Sequence, residues 1–164
     1  MKPRLLAALL LLVPVAFGAE ENITQTIKDM YASTLNAMKN AKTKDDVQTF
    51  VNAMDVPEWV GISPEGATQS RADTQASLEP LLAIPPEKRP VPTLDFLYFK
   101  ETGWNVLVLY WVYAKTEHQI VGSLARDTWA RTASGWRRIR HEKFLPNQVL
   151  VDDGKPVILP PHNN

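Results

Sequence analysis

The sequence predicts an α+β domain in which N-terminal helices are cupped by a strongly curved, mostly antiparallel sheet that encloses a pocket. Three observations predict it. Apolar residues recur at helical spacing after residue 20, three strand-like apolar runs (94–100, 104–115 and 124–144) follow one another in the last third, and the third run folds back at Ala133-Ser134-Gly135.

Residues 1–19 carry Lys2 and Arg4, an unbroken apolar run from Leu5 to Val13, Pro14, and the small-residue end Ala16-Phe17-Gly18-Ala19. That is the layout of a secretory signal peptide, with cleavage expected after Gly18. The run is shorter than the roughly 20 residues needed to span hydrocarbon. Because Glu20-Glu21-Asn22 follows at once, no stable membrane insertion is expected after removal, and the expected location is periplasmic or secreted. With no cysteine, the chain has no disulfide framework and no thiol chemistry, so stability rests on a packed core. Residues 20–145 are long enough to build one such domain, and 146–164 read as a tail. Lys plus Arg and Asp plus Glu balance at 18 each, which supplies no global field for nucleic acid or an anionic membrane.

A first helix is predicted by Ile23, Ile27, Met30, Tyr31, Leu35 and Met38, with Asn22 as N-cap and Gln25 as its reciprocal partner. Thr43-Lys44-Asp45-Asp46 opens a second, whose stripe is Val47, Phe50, Val51 and Met54 and which ends before Pro57. Trp59 to Gly66 reads as a short strand and a Pro/Gly turn at the rim of the sheet. Ser70-Arg71-Ala72-Asp73 opens a third helix that Pro80 should kink or restart. A strand from about Val91 to Glu101 turns at Thr102-Gly103 into one that is apolar on both alternating faces. The helices cover one of these faces, so the other calls for a second subunit and a homodimer through the outer sheet. The run from Trp136 to Phe144 changes its apolar register, as a bulge would make it do. The Pro- and Asp/Gly-rich end, with Val157-Ile158-Leu159, reads as a draping or mobile tail that is also able to dock on a partner.

The long first helix, the Trp59-to-Gly66 strand and turn followed by Arg71, Asp127-x-Trp129, the Gly135-Trp136 hairpin and His141 occur in an order that resembles the nuclear transport factor 2-like superfamily. That group includes SnoaL-like polyketide cyclases and ketosteroid isomerases. The resemblance covers roughly Glu21 to Phe144 and implies a half-open cone with an internal cavity, commonly dimeric through its convex face. It spans enzymes, binding proteins and members of unknown activity, so fold alone does not assign a reaction. Its isomerase members place a carboxylate base and a tyrosine-containing oxyanion hole in the cavity. Of such a set, this chain offers Asp127 and Tyr31 without a complete match.

Asp127 shares a strand face with Ala125 and Trp129. In a cavity, desolvation should raise its pKa and make it a general base. Otherwise it is a carboxylate paired with Arg71 or a strand arginine. His141, read as sharing a face with Ile139, is either a proton-transfer group or a histidine satisfied by a neighbour. Asp95 is either a buried acid on the face of Leu97 and Phe99 or the start of an exposed edge strand. Trp59, Tyr110, Trp111, Tyr113 and Trp129 supply aromatic surface for a pocket, or for core and dimer contacts. The arginines 126, 131, 137, 138 and 140 either hold an anion or form a solvated, salt-bridged face. Histidines at 118, 141 and 162 lack metal-ligand spacing, so neither metal nor cofactor is assigned. The expected function is binding of a small apolar or mixed ligand, with Trp59, Arg71, Asp95, Tyr110 and Trp129 around it. The alternative is a cofactor-independent isomerase, cyclase or dehydratase, in which Asp127 removes a proton alpha to a carbonyl and Tyr31 or His141 stabilises or relays charge.

Overall fold

Three helices form where the apolar stripes predict them, and each starts on a side-chain cap. In the computed structural model, which describes residues 22–115 and 118–157, α1 spans Ile23–Asn40, α2 Lys44–Met54 and α3 Arg71–Leu78. The signal peptide expected at 1–19 and the end of the Val157-Ile158-Leu159 run lie outside the described residues. Asn22 accepts from the backbone N–H of Gln25 at 3.1 Å. Gln25 does not reciprocate, because its amide turns outward and donates to Asp29 one turn on. At α2 and α3 the reciprocal box is complete, through Thr43 with Asp46 and Ser70 with Asp73. Pro80 ends the α-helical path, and the chain continues as a 3-10 turn over Glu79–Ala83. The far end of α1 is closed by the buried Arg89, whose guanidinium donates to the carbonyls of Met38, Lys39, Ala41 and Ile84.

The strands are β1 (Asp55–Ile62), β2 (Thr68–Ser70), β3 (Thr93–Thr102), β4 (Asn105–Lys115), β5 (Gln119–Thr132), β6 (Gly135–Lys143), β7 (Gln148–Asp152) and β8 (Lys155–Pro156). They form one curved, unclosed sheet in the order β2-β1-β6-β5-β4-β3, with β7 on β5 and β8 on β7. Every pairing among these is antiparallel except β1 with β6, which is parallel.

Two sequence expectations are corrected here. The Trp59 strand does not rim the sheet but lies inside it, between β2 and β6. The segment after Pro146 is not only a draping tail: β7 takes the edge of β5 where β6 leaves it, pairing Gly122 with Gln148 after Ala125 has paired with Lys143. Its cause is a short β-branched alternation, Val149 and Val151, closed by Asp153-Gly154, both with positive φ (43° and 74°), which suits a tight hairpin turn.

The main core lies between α1 and the inner sheet face, where Ile27, Val106, Val108, Ala125 and Trp129 are essentially excluded from solvent. A smaller cluster, Ala41, Val47, Phe50 and Val51, locks α2 against α1 and the end of α3. Alternation on β4 then resolves the two-faced strand. Val106, Val108 and Tyr110 point to the helices, while Leu107, Leu109, Trp111 and Tyr113 remain half-exposed on the outer face.

Candidate functional site

The inward face of β5 carries Ala125, Asp127 and Trp129, so period-two alternation brings a carboxylate into the apolar core. Asp127 is wholly buried, opposite Val108 on β4 and His141 on β6. An unpaired carboxylate there would be prohibitively costly, and this one is fully partnered. Its Oδ2 accepts from the Tyr31 hydroxyl at 2.5 Å, the Tyr110 hydroxyl at 2.8 Å and Arg138 Nη1 at 3.3 Å. Its Oδ1 lies 2.7 Å from His141 Nδ1. Trp129 Nε1 donates to the Tyr31 hydroxyl oxygen at 3.1 Å, extending the network to α1.

Arg138 is the hub. Its Nε and Nη2 donate to the two oxygens of buried Asp55 at 2.7 and 3.2 Å, and its guanidinium stacks over Trp59 at 5.2 Å. A bulge on β6 makes this possible: Arg138 pairs with Trp129 and Arg140 with Thr128, so Ile139 is the extra residue. It returns both Arg138 and His141 to the Asp127 side, so His141 does not share its face with Ile139 in the simple alternation expected. Asp55 is delivered from the other direction, at the junction of α2 and β1, by the parallel pairing of β1 with β6.

The electrostatics reverse one expectation. Burial alone would raise the Asp127 carboxyl, but the charge of Arg138 and the contact with His141 override it and hold the group well below the usual carboxylate range. A carboxylate so stabilised is a poor base, and with no accessible surface it reaches no ligand. Asp55 goes the other way: burial pushes it up despite Arg138, with the Asp127 charge adding to the rise. Burial and the Asp127 charge push both tyrosine hydroxyls up, so they stay protonated at any ordinary pH.

Beside this cluster lies an apolar pocket of about 180 Å³ between α1, α2, α3 and the sheet. Leu35, Met38, Phe50 and Leu78 form its apolar wall, and Tyr31, Tyr110, Asp55 and Arg138 form its polar end. Of the residues expected from sequence, Tyr31 and Tyr110 line this pocket, while Asp127 and Trp129 stand behind it in the core. His141 borders a different groove of about 240 Å³ against the β1–β2 hairpin, together with Ser63 and Lys143. Trp59 is buried against Arg138 and stacked on His141 at 6.5 Å, rather than lining the pocket. Arg71 donates to the backbone carbonyl of Asp55 at 3.3 Å and faces a separate groove.

Asp95 is exposed, opposite Trp111 on the outer face; the β3 irregularity between Phe96 and Tyr98 removes it from the face of Phe99. Sequence reasoning missed Asp55; it offered Asp127 a strand arginine as partner, which Arg138 is, but left Arg138 undistinguished in a set that either holds an anion or forms a solvated, salt-bridged face. The one available signal was the register change in the last strand, which is the bulge that aims Arg138 inward.

The chain matches no family model and no curated protein in sequence. Solved structures do match in shape. A nuclear transport factor 2-like protein from Cytophaga hutchinsonii is 19% identical with a TM-score of 0.56, covering 76% of this chain and 99% of its own. Aln2 from a Streptomyces species is 15% identical with a TM-score of 0.58, covering 76% and 91%. A nuclear transport factor 2-like protein of unknown function from Shewanella oneidensis is 12% identical with a TM-score of 0.53, covering 71% and 98%. The chain therefore has the nuclear transport factor 2-like fold.

Proposed function

We propose that this chain is an exported domain that binds a small, mostly apolar molecule in the pocket between its helices and sheet. The observation that carries the reading is the pocket's asymmetry, an apolar wall closed at one end by a rigid polar cluster with unused bonding capacity. Arg138 spends three of its five N–H groups on Asp55 and Asp127, which leaves two. The Tyr110 hydroxyl gives its proton to Asp127, so toward a ligand its oxygen could act only as an acceptor. A ligand suited to this end carries one carbonyl or hydroxyl group on an apolar body. A pocket of about 180 Å³ takes a body near the size of a single aromatic ring.

Binding is favoured over carbon-acid catalysis by the state of Asp127, which is charged, saturated with donors and shut off from the pocket. Export rests on the signal peptide pattern in residues 1–19. The partner assigned to the half-exposed outer face of β4 is a second copy of the chain, stacked through Trp111 and Tyr113, whose rings lie 6.1 Å apart.

The test is a native mass spectrum of protein purified from its own exported fraction. A discrete retained mass is expected, and it should vanish in Leu78→Trp, which fills the pocket. An empty spectrum, together with no saturable uptake of single-ring ketones or phenols, would overturn the reading.

A further inference from the structure

Outside the pocket, a second concavity of about 470 Å³ opens between the α2–β1 junction and the β5–β6 hairpin. It is lined by Asn52, Asp55, Arg71, Thr132, Ser134 and Arg137. Its two arginines are the notable chemistry. Each ion pair formed by the arginines 126, 138 and 140 uses a carboxylate of Asp55, Asp127 or Glu142, and none of these involves Arg71 or Arg137. Arg71 donates once, to the Asp55 carbonyl, and Arg137 once, to the Trp136 carbonyl at 2.7 Å. Each guanidinium therefore keeps four of its five donors. Among the described residues, the only acid in the lining, Asp55, has both carboxylate oxygens occupied by Arg138.

Two cations in one concave wall repel one another, and among the described residues neither is ion-paired to a carboxylate, so an anion from solution would relieve the repulsion. Both forks are held in place by backbone carbonyls, so little ordering remains to be done on binding. The hairpin adds the hydroxyl of Ser134, while Thr132 gives its own proton to the Gly135 carbonyl and accepts from the Ser134 N–H, so it fixes the turn rather than offering a donor. Gly135 turns the hairpin with a φ of +96°, a conformation that favours glycine.

We infer that this groove is an oxyanion-binding site in which Arg71 and Arg137 clasp the phosphate or carboxylate group of a small ligand, independently of what fills the apolar pocket. Fork-shaped donors suit such groups because two parallel N–H bonds reach two oxygens at once.

The test is an amide chemical-shift titration of the isotope-labelled chain, starting at residue 19, with inorganic phosphate and separately with acetate. Ionic strength is held constant with chloride. Saturable shifts at 71–73 and 132–135 are expected, and Arg137→Gln should weaken them by about tenfold or more, the usual loss for a charge-assisted bond. Arg140→Gln, which touches Glu142 rather than the groove, should leave the affinity unchanged. Saturation by phosphate or by acetate supports the site and tells which oxyanion it prefers. No saturation by either, or equal weakening in Arg140→Gln, overturns it. Should Arg71→Gln unfold the chain by freeing the Asp55 carbonyl, Arg137→Gln decides alone, because it gives up only a bond to its neighbour's carbonyl.

Discussion

Arg138 neutralises two buried carboxylates at once, so its loss is expected to be among the most damaging single changes in the chain. Arg138→Met should cost about 3–5 kcal/mol in urea denaturation, because Asp55 and Asp127 would be left charged and unpaired. Restoring part of that loss with Asp55→Asn in the same chain would show that the cost is electrostatic. Acid should also expose Asp127. Its folded carboxyl titrates far below the unfolded value of about 3.9, so its stabilisation is complete at neutral pH and fades as pH falls below about 4. Asp55, raised by burial, has the opposite sign: its charged form costs stability at neutral pH, and its protonation on acidification offsets part of the Asp127 loss. Asp127→Asn should therefore flatten the fall in Tm between about pH 4 and pH 2, and an unchanged slope would assign that fall to other carboxylates. Tyr31 and Asp127 were legible in the sequence because helical and strand spacing mark them, whereas His141 was picked out on an alternation that the bulge at Ile139 breaks. Asp55 was not, because nothing local reveals a parallel pairing with a strand 83 residues away, and Arg138 was not singled out, because the register change announces a bulge without saying which arginine it turns inward.

Among elements, the helices were the most readable, since two complete capping boxes and an N-cap asparagine mark their starts. The hairpins turning at Thr102-Gly103 and Ala133-Ser134-Gly135 were readable too, but β7 was read as tail and the place of β1 in the sheet was not readable. A short apolar run such as Trp59 to Ile62 looks the same at a rim and between two strands, and only the distant β6 decides. The interior position of β1 yields a sharp expectation. A methyl group on Gly61 would meet Cη2 of the Trp59 ring at 2.7 Å, and that ring is wedged against Arg138 and His141. Gly61→Ala should lower stability by about 1–3 kcal/mol, measured by thermal melting. Gly122 makes the same point for β7: a side chain there would strike Leu150 at 2.7 Å and Tyr113 at 3.0 Å. Gly122→Val should therefore detach β7 and speed amide exchange at 148–152. Exchange no faster than in the parent chain would mean that β7 is held by something other than this contact.

For the whole molecule, the proposed homodimer would form through the outer sheet face. If a second copy covers Leu107, Leu109, Trp111 and Tyr113, then Trp111→Glu should convert a dimer to a monomer in sedimentation velocity, with the fold unchanged by circular dichroism. A parent chain that sediments as a monomer would remove that partner. The parallel pairing of β1 with β6 also bears on when the molecule takes shape. Asp55 and Arg138 lie 83 residues apart, so the ion pair that closes the core waits for nearly the whole chain. Contacts this distant in sequence carry their loop-closure entropy before any reward, which slows folding. A polypeptide leaving the ribosome would thus lack its keystone until β6 emerges, and if the chain is exported as proposed, that delay would keep it threadable through a translocation channel.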